Sequence, residues 1–174
     1  PLPPASREVL RKLVFEEINR VLDDSKVELR EPEAFRFITE FDMRLLRRVE
    51  TPRAAKRYAN AIQFALPMLR GEVDVVDLLL IEAMRIFHPR LHAVVAKHRE
   101  MVLHAGGRHG SKEATAEFKT AVSAASGAGP HAGDDIRFLE ALFPRVKSVY
   151  SNTFYPDDWD QTWAKAKRIA SARY

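Results

Sequence analysis

The sequence contains no cysteine, which excludes disulfides, zinc–thiolate centres and thiol catalysis and accords with a cytoplasmic setting. It has no apolar run long enough to span a bilayer. The longest apolar-rich stretch, VDVVDLLLIEAMRIF, is interrupted by Asp77, Glu82 and Arg85. It shows no signal peptide, no internal repeat and no period-two strand pattern. No charge of one sign dominates. A net charge of +4 permits a polyanionic partner or an anionic membrane surface and requires neither. What the sequence does have is helical periodicity over most of its 174 residues.

Ser6 caps a first helix with Val9, Leu10, Leu13, Phe15, Ile18, Val21 and Leu22 as its apolar set. Pro32 suits the start of a second, carrying Phe35, Ile38, Phe41, Met43, Leu45, Leu46 and Val49. The third opens at Thr51-Pro52, buries Ala55, Tyr58, Ala59, Ile62, Leu66 and Leu69, is kinked or ended by Pro67 and closes at Gly71. Asp74 caps a fourth that is apolar nearly all round and therefore central. His88-Pro89 marks a break before a fifth helix with Leu91, Val94, Val95, His98, Met101 and Val102. HAGGRHGS reads as a loop, Ser111 caps a lightly packed helix, and SGAGPHAGD is a second loop. Asp134-Asp135 opens a short helix, and Asp157 caps a last one that runs on to the end of the chain. About eight helices make an all-α, lid-like bundle. Residues 1–105 form its body, 106–133 read as loops and a weak helix of inserted character, and 134–174 are C-terminal helices. The opening PLPP and the closing IASARY read as the ends of a piece cut from a longer protein.

Most chemistry-bearing motifs have bland explanations. GGRHGSK lacks the Walker A spacing, and no strand precedes it. His88 and His92 are four apart, but Pro89 between them puts His88 outside a helix starting there, so no metal site is expected. Trp159 and Trp163 fit helix docking better than base stacking. The paired aspartates read as caps, and nothing resembles a nucleophile with its base, so this chain by itself is not expected to be catalytic.

ETPRAAKRYAN is different. Thr51 and Pro52 start a helix, which places Arg53 in a first turn whose free N–H groups and dipole repel cations. Lys56 and Arg57 follow one turn on. An exposed cation there costs about 0.3–1 kcal/mol, and a phosphate would reverse the sign, because a helix N-terminus and an arginine fork both bind phosphate. Arg53, Lys56 and Arg57 are therefore the candidate phosphate-binding residues.

The stretch from Thr51 to Val95 resembles the helical region that follows the nucleotide-binding core in KAP-family P-loop NTPases. The resemblance rests on Thr51-Pro52-Arg53, Lys56-Arg57, Asn60, Leu66-Pro67, Gly71-Glu72-Val73, Val76-Asp77, Glu82-Ala83 and Phe87 to Pro89. It is weak over 106–133. It implies a parent ATPase of the AAA+/STAND grouping whose missing core binds ATP and Mg, with Arg53, Lys56 and Arg57 reading the phosphates and coupling nucleotide state to conformation. It also implies the P-loop core as partner, self-association, a setting in the cytoplasm or on the cytoplasmic face of a membrane, and, for bacterial members, phage defence. The rival expectation is a stand-alone basic helical module for nucleic acid or protein, using the same stripe with Lys97, His98, Arg99, Lys165, Lys167 and Arg168.

Overall fold

The computed structural model describes residues 6–104, 111–129, 131–151, 153, 155–156 and 158–171. Among these there is no strand. The protein is all-α, with ten α-helices among the described residues, and it divides into two compact units, residues 1–88 and 89–174.

The first unit holds α1 (Arg7–Asp24), α2 (Glu31–Glu40), α3 (Pro52–Leu69) and α4 (Val75–Phe87). Ser6 caps α1, its Oγ accepting the Val9 N–H at 3.3 Å. The buried line is Leu10, Val14, Ile18, Val21 and Leu22. Val9, expected inside, is 57% exposed, Val14 takes its place, and Leu13 and Phe15 are half-buried. The correction follows from the i, i+4 spacing of Leu10, Val14 and Ile18, which defines a narrower seam than the full apolar set. The helix ends in a Schellman motif. Val27 N–H reaches Leu22 O, Lys26 N–H reaches Asp23 O, and Lys26 takes the left-handed position at φ 52°.

The second expected helix is three pieces. After α2 come a π-helical turn, Phe41–Leu45, and a 3₁₀ turn, Leu46–Arg48. The wider turn keeps Phe37, Phe41, Leu45 and Val49 on one buried line, while Phe35, Ile38 and Met43, assigned to the core from sequence, are exposed and Leu46 is half-buried. Around Phe41 the rings of Phe15, Phe37, Tyr58 and Phe87 lie with centroids 5.4–6.1 Å away.

The apolar stripe of α3 is as read from the sequence over Ala55, Tyr58, Ala59, Ile62 and Leu66, all buried, whereas Leu69, in the last turn, is half-buried. Pro67 does not end the helix, which runs on to Leu69. So close to the C-terminus proline forfeits one bond, to the carbonyl of exposed Gln63. Gly71, at φ +81°, makes the turn that follows. α4 is the most buried helix, as its sequence requires: Val76, Asp77, Leu78, Leu79, Leu80, Ala83, Met84 and Phe87 are all inside. The Tyr58 hydroxyl donates to Leu79 O at 2.8 Å, and burial pushes its phenol well above the usual tyrosine range.

In the second unit, Pro89 opens α5 (Pro89–Lys97) and leaves His88 as the C-cap of α4. The single fifth helix expected here is broken at His98, after which α6 (Arg99–His104) carries buried Val102 and Leu103. Ser111 Oγ accepts the Ala114 N–H at 3.1 Å and starts α7 (Lys112–Ser126), which buries Phe118 and Val122. α8 (Ala132–Leu142), a 3₁₀ turn at Pro144–Val146 and α9 (Lys147–Tyr150) follow. α10 (Asp158–Lys165) is shorter than its pattern suggests, and Asp157, the expected cap, lies outside the described residues. A second Schellman motif stops it: Arg168 N–H reaches Trp163 O, Lys167 N–H reaches Ala164 O, and Lys167 has φ 55°. Trp163 is buried and Trp159 is 47% exposed, so docking is the role of the first more than of the second.

Candidate phosphate site at the start of α3

Thr51 is extended, φ −143° and ψ 151°, and its Oγ1 accepts the Ala54 N–H at 3.2 Å. Pro52 occupies the first helical position and has no N–H to leave unpaired. Arg53 is thereby fixed in the first turn, with its side chain exposed. Thr51→Ala should cost about 1 kcal/mol in a denaturant titration. A loss below about 0.3 kcal/mol would mean that Pro52 alone sets the start of the helix.

Arg53, Lys56 and Arg57 are all exposed, and among the described residues no carboxylate pairs with any of them. The helix itself supplies none, since PRAAKRYANAIQFALPML has no acidic residue. Other arginines of this unit do have carboxylates: Arg11 meets Asp42 at 2.6 Å, Arg20 meets Glu17 at 3.0 Å and Arg85 meets Glu82 at 2.5 Å. The start of α3 is thus an uncompensated positive end, where guanidinium, ammonium and helix dipole add.

The three cations are not equivalent. Arg57 turns toward the end of α4, its Nη2 3.5 Å from the Ile86 carbonyl, one of the terminal carbonyls that favour a cation. It therefore has a structural role. Arg53 and Lys56 have no such partner among the described residues. Of the first-turn amides, that of Ala54 is taken by Thr51 and Pro52 has none, so Arg53 contributes the free N–H as well as the fork. An anion here would be held mainly by side chains, with little help from the backbone.

Other candidate features resolve differently. The groove of about 750 Å³ beside the end of α1 is lined by Asn19, Asp23, Lys26 and Glu28 among others, mixes both charges and includes none of the three cations. Residues 106–110 of GGRHGSK lie outside the described residues, and a helix, α6, runs up to His104 before them. Among the described residues no cluster of histidines and carboxylates suits a metal ion, and no helix is long and apolar enough to cross a membrane. Of the wider basic set, Lys97 pairs with Glu117 at 3.0 Å and Arg168 donates to Ala141 O at 2.8 Å, and both belong to the second unit.

One charged cluster escaped the sequence reading. Arg36 bridges Asp74, the cap of α4, and Asp77, which is fully buried, with Nη1 2.9 Å from Asp77 Oδ1. From the sequence Asp74 and Asp77 read only as a cap and as an interruption, and Arg36 has no assigned role. The partners lie 38 and 41 residues apart, so no local pattern could connect them.

The chain matches no family profile, and neither a curated protein nor a solved structure matches it.

Proposed function

We propose that this chain is a helical, non-catalytic region of a P-loop ATPase of the KAP type, and that Arg53 at the start of α3 reads a phosphate of the nucleotide held by the ATPase core. The observation that carries the proposal is the unpaired, exposed Arg53 in the first turn of a helix that has no carboxylate and is capped by Thr51. The motif run from Thr51 to Pro89 supports the same reading. ATP and Mg would be bound by the core, because this chain brings one arginine fork, one lysine and one free amide, too few groups for a nucleotide site of its own. When the core presents a phosphate, the fork offsets its charge and the cost of a cation at the helix N-terminus disappears. Docking and nucleotide state are then coupled, since the favourable contact exists only with the phosphate present.

The test is turnover and ATP affinity of the full-length parent protein carrying Arg53→Ala. Turnover should fall by at least about tenfold, with Arg53→Lys recovering only part of it, because lysine keeps the charge and loses the fork. Arg57→Ala should change turnover less than Arg53→Ala. If Arg53→Ala leaves affinity and turnover at the unmodified level, the proposal is wrong. Tight ATP binding by residues 1–174 alone would equally contradict the division of labour.

A further inference from the structure

The groove of about 750 Å³ beside the end of α1 is large enough to hold a ligand. Its apolar lining is Leu22, which is buried, with Val27, Leu29 and Ala34, which are half-buried. Its charged lining is two carboxylates, Asp23 and Glu28, against one ammonium, Lys26, all exposed. Arg70 holds the turn that forms one wall, with Nη1 3.2 Å from Ser25 O and Nη2 3.1 Å from Lys26 O. That wall is therefore in place before a ligand arrives.

Asp23 stands where its helix disfavours it. The last turn of α1 holds Asp23 and Asp24 and no basic residue, at the negative end of the dipole. Asp24 is offset by Arg20 at 3.2 Å. Asp23 and Glu28 are in no ion pair among the described residues, with Lys26 or with any other cation. A cation in the groove would offset both carboxylates, and a phosphate or nucleic acid would be repelled by them.

The chain between α1 and α2 adds a backbone feature. Val27 and Leu29 are half-buried while Glu28 and Arg30 are exposed, the alternation of an extended segment. The Val27 N–H is taken by Leu22 O and the Arg30 N–H by the Glu33 carboxylate at 2.8 Å. The N–H groups of Glu28 and Leu29 have no acceptor among the described residues, and the carbonyls of Val27, Glu28 and Leu29 have no donor. An unpaired extended segment along a groove can accept a second extended chain through main-chain hydrogen bonds.

We propose that this groove takes an extended peptide segment of a partner protein. The peptide pairs with residues 27–29 through its main chain, sets a lysine or arginine on Asp23 and Glu28, and lays an apolar side chain against Leu22, Val27 and Ala34. The site uses none of Arg53, Lys56 and Arg57 and stands independently of the nucleotide reading.

Fluorescence anisotropy with the 174-residue chain tests it. The probes are short fluorescein-labelled peptides that alternate lysine or arginine with valine or leucine, and the same peptides with glutamate as the charged residue. The basic peptides should bind with a Kd below about 100 μM, and the glutamate peptides at least about tenfold more weakly. Asp23→Lys combined with Glu28→Lys should weaken the basic peptides by at least about tenfold, and a lysine at the end of α1 suits the helix, so the fold is not at risk. Lys26→Glu should tighten them by about threefold or more, because it removes the one cation of the groove. Circular dichroism checks that each variant keeps its helices. Hydrogen exchange should show the Glu28 and Leu29 amides slowed when peptide is bound. No binding of the basic peptides at about 1 mM overturns the proposal. So does binding that neither charge variant moves, or protection that leaves both amides unchanged. N-acetyl-arginine amide binding as tightly as the peptides would also overturn it and assign the groove to a small cation.

Discussion

Phe41→Ala should destabilise the first unit by about 3–5 kcal/mol. The side chain is fully buried at the π turn, with four aromatic rings from α1, α2, α3 and α4 around it. Truncation removes the apolar surface of the ring and leaves a cavity between faces held by separate helices, which cannot all close on it. A loss of this size is a large part of the about 5–15 kcal/mol that a domain commonly has. Denaturant unfolding followed by circular dichroism measures it, with Phe35→Ala as the control. Phe35, on α2 just before the π turn, is 72% exposed, so its truncation should stay within about 0.5 kcal/mol. Comparable losses at the two positions would mean that the buried phase of α2 is wrong.

Arg36→Met should cost a similar amount, about 3–5 kcal/mol, for an electrostatic reason. Asp77 is fully buried and Asp74 is mostly buried, and the Arg36 guanidinium lies between them. Methionine keeps most of the packing volume and removes the charge, so two carboxylates lose the cation that makes their burial tolerable. Asp74 also accepts the Asp77 N–H at 2.8 Å to start α4, so the disturbance reaches the most buried helix. The double variant Arg36→Met with Asp77→Leu should recover part of the loss, since it removes the buried charge along with its partner. A single-variant loss under about 1 kcal/mol would show the bridge to be no stronger than an exposed ion pair.

These two positions show how the sequence and the tertiary structure divide the information. Helix identity was legible wherever a cap, an apolar stripe and a break coincided. Ser6, Thr51, Asp74 and Ser111 all cap as their sequence context demands, and the break at His88-Pro89 is where α4 ends and α5 begins. Helix ends were less legible. α1 and α10 both stop on a lysine in the left-handed conformation, where sequence reasoning looks for glycine. In α10 the pattern simply ran on through Lys167, because nothing at that position announces a turn. The buried phase of α2 was misread for a related reason. Phe35, Phe37, Ile38, Phe41 and Met43 offer more apolar positions than one face can bury, and the choice among them depends on the π turn.

The candidate site lies at the same boundary. That a helix starts at Pro52 with Arg53 in its first turn follows from Thr51-Pro52 alone, because capping and a fixed proline φ are local effects. That Arg57 differs from its neighbours does not follow, since the Ile86 carbonyl beside it is 29 residues away in sequence. The Arg36 bridge to Asp74 and Asp77 is likewise a product of how α2 and α4 pack. By itself the sequence determined an all-α chain, the starts of the helices capped by Ser6, Thr51, Asp74 and Ser111 and a cationic first turn, all set by interactions within a few residues. Only the tertiary structure decided which apolar side chains are buried, which charges are paired and which cations are left without a partner. Those outcomes depend on which surfaces meet between helices far apart in sequence, and burial and charge pairing are properties of that meeting.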